Sequence, residues 1–259
     1  MLCRLCMSAI SPSPAWRNLL LDWLLPQRCL TCETWLSPSD QPRLGVADWL
    51  CDNCLQSLEP IHSPCCPRCG EPLQGGGEAI LPCGDCLKNP PEYDFALAGY
   101  RAKGSWRTLI HHFKYGSQRG LAQLLVTGLQ RCLEQPRLET LLHQDSWHLI
   151  AVPMSRWRQW RRGFNQSHEL ARCLSRRSGL PLLEGALQRK HSSRNQASLG
   201  RMDRLRNLAG RILCPQPLEA KNLILVDDVL TTGATASACA KALRQAGAEK
   251  VVVICAARG

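Results

Sequence analysis

Two adjacent aspartates, Asp227 and Asp228, follow the apolar run Leu223–Val226 and precede the string Thr231, Thr232, Gly233, Ala234, Thr235. Paired carboxylates accept hydrogen bonds from neighbouring sugar hydroxyls, or enter the shell of a Mg²⁺ ion. A turn of threonine and glycine leading into a helix offers backbone N–H groups and hydroxyls to an anion, and the helix dipole favours a phosphate there. Gly233 lets the backbone approach closely. A sugar phosphate with a free diol would satisfy both halves. The chain has no G-x-x-x-x-G-K-[ST] string, so this is not a P-loop. The plainer alternative is a buried strand with a polar cap.

A second chemistry is written in cysteine. Sixteen occur, eleven of them in residues 1–86. Four C-x-x-C pairs stand out: Cys29/Cys32, Cys51/Cys54, Cys66/Cys69 and Cys83/Cys86. One such turn aims two thiolates at one ion, and two turns complete a tetrahedral four-thiolate zinc site. The spacing predicts two structural zinc ions, closed to substrate, holding together a segment too poor in apolar residues to fold unaided. A disulfide framework and a single zinc are the alternatives. Sequential pairing is simplest, and crossed pairing satisfies the same spacing. Cys65 is an adjacent substitute for Cys66, and His62 a weaker one. Gly70, after "CPRC", suits a knuckle with positive φ. The Cys3/Cys6 pair has no partner pair nearby and reads as chance.

Positive charge gathers in two places. Residues 156–177 hold seven arginines against one glutamate, and residues 189–211 six arginines and a lysine against Asp203. The first includes "RRGFNQS" (Arg161–Ser167), with Trp157 and Trp160 just before it. Such runs hold pyrophosphate or nucleic-acid phosphates, or are simply solvated. Tryptophans there stack on bases or anchor a loop.

Elements must present these groups. Alternating apolar runs and amphipathic stretches predict strands at Phe95–Arg101, Trp147–Pro153, Leu223–Val226 and Lys250–Ala256. They predict helices at Ser105–Gly116, Gly120–Gln135, Asn165–Gly179 and Thr235–Gly247. Buried strands alternating with helices make a parallel α/β sheet. Ligands of such sheets sit beyond the carboxyl ends of strands, where the two aspartates fall. The expected organisation is a short helical segment over 1–26, with Trp16, Leu20 and Trp23 on one side, a cysteine module over 27–90 and an α/β domain over 91–259. Leu87–Asp94 is read as the linker between the last two.

With 259 residues and 44% apolar content, the chain can build a packed core, and global disorder is excluded. The net charge of +11 suggests an anionic partner. The longest apolar stretch, Asn18–Pro26, carries Asp22 and is shorter than the roughly 20 residues of a membrane span. It also lacks a signal-peptide cleavage site. The expectation is a cytoplasmic protein with no membrane insertion.

"LILVDDVLTTGATA" (Leu223–Ala236) resembles the phosphoribosyl pyrophosphate (PRPP) signature of type I phosphoribosyltransferases. That resemblance implies that Asp227 and Asp228 hold the ribose hydroxyls, with Thr231–Thr235 on the 5′-phosphate and Mg²⁺ bound alongside. It makes Arg162, Gly163, Phe164 and Asn165 part of the pyrophosphate loop, and residues 189–211 a mobile lid. Taken with the cysteine module, "HHFKYGSQRG" and "RNQASLGRMDRLRN", the whole of residues 20–259 is similar to the ComF/GntX family. Its members join a double zinc ribbon to a type I phosphoribosyltransferase-like domain. Membership implies a role in DNA uptake or in the use of imported DNA and a helicase-like partner, while the zinc ribbons and the two arginine runs could hold single-stranded DNA. Two readings result. One is Mg-assisted phosphoribosyl transfer to an acceptor. The other is a non-catalytic single-stranded DNA-binding factor with the PRPP site as sensor or scaffold. Gly259 follows Cys255 by four residues, leaving no segment for a base-binding hood, which argues against ordinary base salvage. The glycine usual after a zinc-knuckle cysteine is absent after Cys32, and the Cys3/Cys6 pair lies outside the family pattern.

Overall fold

A computed structural model of the chain describes residues 28–36, 45–73, 81–116, 118–189 and 212–259. The Cys3/Cys6 pair, the expected helix with Trp16, Leu20 and Trp23, and residues 190–211 of the expected lid lie outside the described residues. Two compact units divide between Leu55 and Gln56. Among the described residues no helix is long and apolar enough to cross a membrane.

In the smaller unit, Cys29–Cys32 and Cys51–Cys54 flank a 3₁₀ turn at Gly45–Asp48. The Cys29 N–H donates to Thr34 O at 2.8 Å and the Leu30 N–H to Trp49 O at 3.0 Å. The first bond closes the knuckle's own turn, and the second ties it to the chain approaching Cys51.

The larger unit has six strands among the described residues: β1 (Phe95–Arg101), β2 (Trp147–Ala151), β3 (Gln188–Arg189), β4 (Ile212–Leu213), β5 (Asn222–Leu230) and β6 (Lys250–Arg258). Four of them form one parallel sheet in the order β1-β6-β5-β2, while β3 and β4 pair separately. Its principal helices are α1 (Gly104–Tyr115), α2 (Ala122–Leu133), α3 (Pro136–Gln144), α4 (Arg156–Arg162), α5 (Gln166–Ser178) and α6 (Ala234–Gln245). Leu223, Leu225, Val251 and Val253 share a core with Ala236, Ala240 and Leu243 of α6 and with Ile212. Alternation puts Ile224, Val226, Val252 and Ile254 on the other face, where α2 and α5 cross the sheet. Burial on both faces explains why these strands read as unbroken apolar runs.

The amphipathic spacing of Ser105–Gly116 is realised in α1, where Trp106, Leu109, Ile110 and Phe113 are buried along one face. Three elements depart from expectation. α3 was not expected, although Pro136 at its first turn and buried Leu138 mark it. Residues 156–162 form a helix rather than a basic loop, because the Ser155 hydroxyl caps it by accepting the Arg158 N–H at 3.4 Å. β5 does not stop at Val226. β6 continues beside it, pairing Asp227 with Cys255 and Leu230 with Arg258. That ladder holds both aspartates in extended backbone, after β2 has already ended opposite Val226.

The second cysteine knuckle is built onto this sheet. Ala96 N–H of β1 donates to Arg68 O at 2.8 Å, Ile61 N–H to Gly99 O at 3.0 Å and Arg101 N–H to Glu59 O at 2.8 Å. Residues 59–68 thus cover the free edge of β1, which would otherwise expose unpaired backbone. Leu87–Asp94, read as a linker, is docked as well. The Asp94 carboxylate accepts the Val251 N–H and the Arg244 guanidinium, at 2.7 and 2.8 Å, and Tyr93 is 2% exposed. Gly70 has φ of 68°, and a Cβ there would stand 2.6 Å from Ala96 O. Gly70→Ala should therefore prise the knuckle off β1 and cost about 2–3 kcal/mol. Denaturant unfolding of the full chain checks this, and a loss under about 0.5 kcal/mol would contradict the edge contact.

Candidate functional site

The eight paired cysteines form two groups. Cys29, Cys32, Cys51 and Cys54 have all four Sγ atoms within 4.8 Å of one another, and so do Cys66, Cys69, Cys83 and Cys86. A tetrahedral site with Zn–S of about 2.3 Å requires S···S edges of about 3.8 Å. Cys32 Sγ to Cys51 Sγ is 3.5 Å and Cys69 Sγ to Cys83 Sγ is 3.7 Å. Pairing is sequential rather than crossed. Cys65 stands apart, with its thiol donating to His62 O at 3.1 Å. The thiols also show why a cation belongs among them. Burial pushes Cys86 well up, reinforced by the neighbouring Cys69. Cys66 is drawn down to about 7 against its burial, by backbone N–H groups that include Cys83 at 3.2 Å. Four thiols this close cannot all ionise without a metal. Both tetrads are consistent with structural zinc.

The second centre lies at the carboxyl end of β5. Asp227 Oδ1 accepts the Ser167 hydroxyl at 2.7 Å and the Asp228 N–H at 2.9 Å. Asp228 Oδ1 accepts the Val229 N–H at 2.7 Å, and Asp228 Oδ2 meets Lys114 Nζ at 3.0 Å. Burial raises the Asp227 carboxyl to about 7, and the charge of Asp228 adds to it. The Ser167 hydroxyl, the Asp228 N–H and Lys114 only partly offset the rise. A carboxylate so placed is relieved by a ligand that brings hydroxyl donors or a cation.

Residues from α1, α4 and α5 close a ring around the two acids. Arg162 donates to Gln166 Oε1 and to the Tyr115 hydroxyl, each at 3.3 Å, and its guanidinium lies over the Tyr115 ring at 5.0 Å. Tyr115 follows Lys114 at the end of α1, and Gln166 precedes Ser167 at the start of α5. The contacts run Asp227, Ser167, Gln166, Arg162, Tyr115, Lys114, Asp228. A shallow groove of about 330 Å³ runs along α1 past Arg107, His111, Lys114 and Tyr115.

Each member of the loop from Arg162 to Asn165 has a visible task. Gly163 turns the chain after α4, and its carbonyl accepts Arg119 Nη2 at 2.6 Å. Phe164 is buried against Phe113, with centroids 5.3 Å apart. Asn165 caps α5 by accepting the Ser167 N–H at 3.2 Å and donates to Val152 O at 3.1 Å, fixing the loop to the end of β2. Trp157 and Trp160 are 56% and 83% exposed, so neither is a packing anchor.

Beyond Leu230 the chain turns through Thr231, Thr232 and Gly233 into α6. Thr231 and Thr232 are exposed. Gly233 has φ of 72°, and a Cβ there would stand 2.7 Å from the Tyr93 hydroxyl, which packs beneath the turn. The N-cap of α6 is Gly233, which has no side chain to accept its N–H groups, and the Thr232 hydroxyl accepts only the Ala234 N–H, at 3.4 Å. The first N–H groups of α6, with Ala234 and Thr235 half-buried, form the kind of helix start that takes an anion.

Sequence reasoning missed Ser167 and Lys114 as partners of the acids, and Tyr115 as the partner of Arg162. Lys114 and Tyr115 stand in "HHFKYG" and Ser167 ends "RRGFNQS", so the motifs carried them without assigning a role.

A cysteine-paired module preceding a parallel α/β domain, with a diacid and a threonine turn at a strand end, defines the class. Residues 20–87 match the family described as double zinc ribbon domain. The chain is 33% identical over 218 residues to the DNA utilization protein YhgH of Escherichia coli O157:H7, covering 83% of this chain and 93% of that one. It is 32% identical over 235 residues to competence protein F of Haemophilus influenzae, covering 87% and 94%. Against competence protein ComFC of Bacillus subtilis it is 25% identical over 253 residues, covering 95% and 90%. The chain belongs to the ComF/GntX family.

Proposed function

We propose that this chain serves DNA uptake or the use of imported DNA, and that its α/β domain binds PRPP with Mg²⁺ and transfers the phosphoribosyl group to an acceptor. The observation that carries the reading is the single β5–turn–α6 unit. It sets two carboxylates, one raised to about 7, directly before a helix start whose N-cap is a positive-φ glycine. Asp227 and Asp228 accept the ribose 2′- and 3′-hydroxyls. The Thr231–Thr235 turn takes the 5′-phosphate. Arg162, oriented by Tyr115 and Gln166, neutralises the pyrophosphate as the bond from ribose C1 to its oxygen breaks. Lys114, now on Asp228, is free to swing to the leaving group when the ribose takes that carboxylate. Asp227 and Asp228 are the residues that would lie beside a Mg²⁺ ion, which would supply charge neutralisation there. The division into an N-terminal segment (1–26), a ribbon module (27–90) and this domain (91–259), and a cytoplasmic setting beside a helicase-like partner, belong to the same proposal.

The names of the relatives and the exposed Trp157 and Trp160 beside four arginines of α4 favour a second role, stacking and phosphate contact with single-stranded DNA. Such binding would fall steeply with salt.

The enzyme reading predicts pyrophosphate release from PRPP–Mg²⁺ in the presence of an acceptor screen, including single-stranded oligonucleotides. Arg162→Ala should slow it about 100-fold or more, with the fold checked by thermal unfolding because Arg162 also donates to the buried Gln166 Oε1. Release at the wild-type rate in Arg162→Ala would remove the arginine from the mechanism.

A further inference from the structure

Arg258, at the end of β6, joins two regions far apart in sequence. Its Nη1 donates to the carbonyls of Leu230 (2.8 Å), Thr231 and Gly259 (3.2 Å). Its Nη2 meets Glu71 Oε2 at 3.0 Å, with the arginine side chain 10% and the glutamate 38% exposed. Leu230 is the last residue of β5, and Thr231 the first of the turn. Glu71 belongs to the second cysteine knuckle, where its carbonyl accepts the Cys66 N–H at 2.8 Å. One guanidinium thus bridges a cysteine tetrad and the turn that begins the anion site.

The bridge has a directional consequence. In a trans peptide the C=O and the following N–H point opposite ways. Fixing the Thr231 carbonyl on Arg258 therefore turns the Thr232 N–H away from the guanidinium. Thr232 is exposed, so the turn that carries this N–H is open to solvent. Glu71 in turn holds the arginine fork in place, and Glu71 is held by a knuckle whose shape needs all four thiolates gathered.

We propose that Arg258 is a positioning residue, and that through Glu71 it couples zinc occupancy of the Cys66/Cys69/Cys83/Cys86 tetrad to the geometry of the Thr231–Thr235 turn. Loading that tetrad tightens the turn's hold on a phosphate group. The inference rests on the reading of this turn as a phosphate site. The second ribbon is then more than a staple for the N-terminal region, since it sets the affinity of a site elsewhere in the same unit.

Hydrogen exchange on the full chain, zinc-loaded and chelated, separates this route from simple loosening of the β1 edge. In the wild type, chelation should speed exchange of amides 230–236 about tenfold or more, judged against those of α2 as internal reference. In Glu71→Gln, with zinc content unchanged, those amides should already be fast and chelation should add little. Arg258→Lys, which keeps the charge and loses the fork, should behave alike. Ribose 5-phosphate binding should weaken about tenfold in either zinc-loaded variant. Amides 230–236 that ignore chelation in the wild type, or respond to it equally in both variants, would overturn the coupling. Absence of ribose 5-phosphate binding in the wild type would instead sink the phosphate reading, while the exchange result still decides whether tetrad and turn are coupled.

Discussion

Asp227→Asn is expected to make the protein more stable at pH 8 and to abolish its hold on PRPP. Asn keeps the Oδ1 that accepts the Ser167 hydroxyl and the Asp228 N–H, so the local bonds survive. It removes a carboxylate that burial and Asp228 raise to about 7. An unfolded aspartate ionises near pH 4. Between about pH 4 and 7 the native state keeps a proton that the unfolded state has lost, so the penalty for ionising Asp227 grows across that window and is complete above it. The substitution should therefore add about 2 kcal/mol at pH 8, or roughly 5 °C in Tm, and close to nothing at pH 4. Thermal unfolding at the two pH values measures this. Destabilisation at pH 8 would mean that the acid is structurally satisfied and not strained for a ligand. The same titration governs binding in the wild type. A diol or cation needs the ionised acid, so affinity should rise with pH and level off above about 7.

The other large effect concerns the two tetrads, which should respond differently to loss of a ligand. Cys69→Ser breaks the group that lies against β1, where Arg68 O and the Gly70 backbone meet Ala96. The edge strand then loses its cover, and Phe95 and the 59–68 segment lose support. Structural zinc contributes on the order of 10 kcal/mol to the fold of an isolated finger. A loss of several kcal/mol from the larger unit is expected. Cys32→Ser breaks the group within the smaller unit, and the larger unit's transition should move by less than about 1 kcal/mol. Limited proteolysis with mass mapping, alongside zinc quantification, distinguishes them. Equal damage from both substitutions would contradict the distinction between the two ribbons.

Much of this molecule is written locally in its sequence. C-x-x-C pairs are short-range objects, and their two groupings follow from chain proximity. The apolar strands and the face of α1 likewise follow from periodicity, and the end of α5 from its glycine. Where the chain departed from expectation, a partner elsewhere decided the outcome. The apolar run stops at Val226, which puts Asp227 and Asp228 just beyond a strand end, yet the β6 ladder holds them in the strand. Arg156–Arg162 read as a charge run because seven polar or aromatic residues hide the helix start that Ser155 caps. Lys114, Tyr115, Ser167, Glu71 and Arg258 acquire roles only through contacts across long stretches of chain. No periodicity signals such contacts.

The measurement that reaches the central claim most directly is calorimetry of the purified chain with PRPP and Mg²⁺, set against Asp227→Asn/Asp228→Asn. The account predicts saturable binding by the wild type and none by the double variant, with the variant folded and its zinc content unchanged. Binding of equal strength in both, or in neither, would contradict a PRPP site at the end of β5.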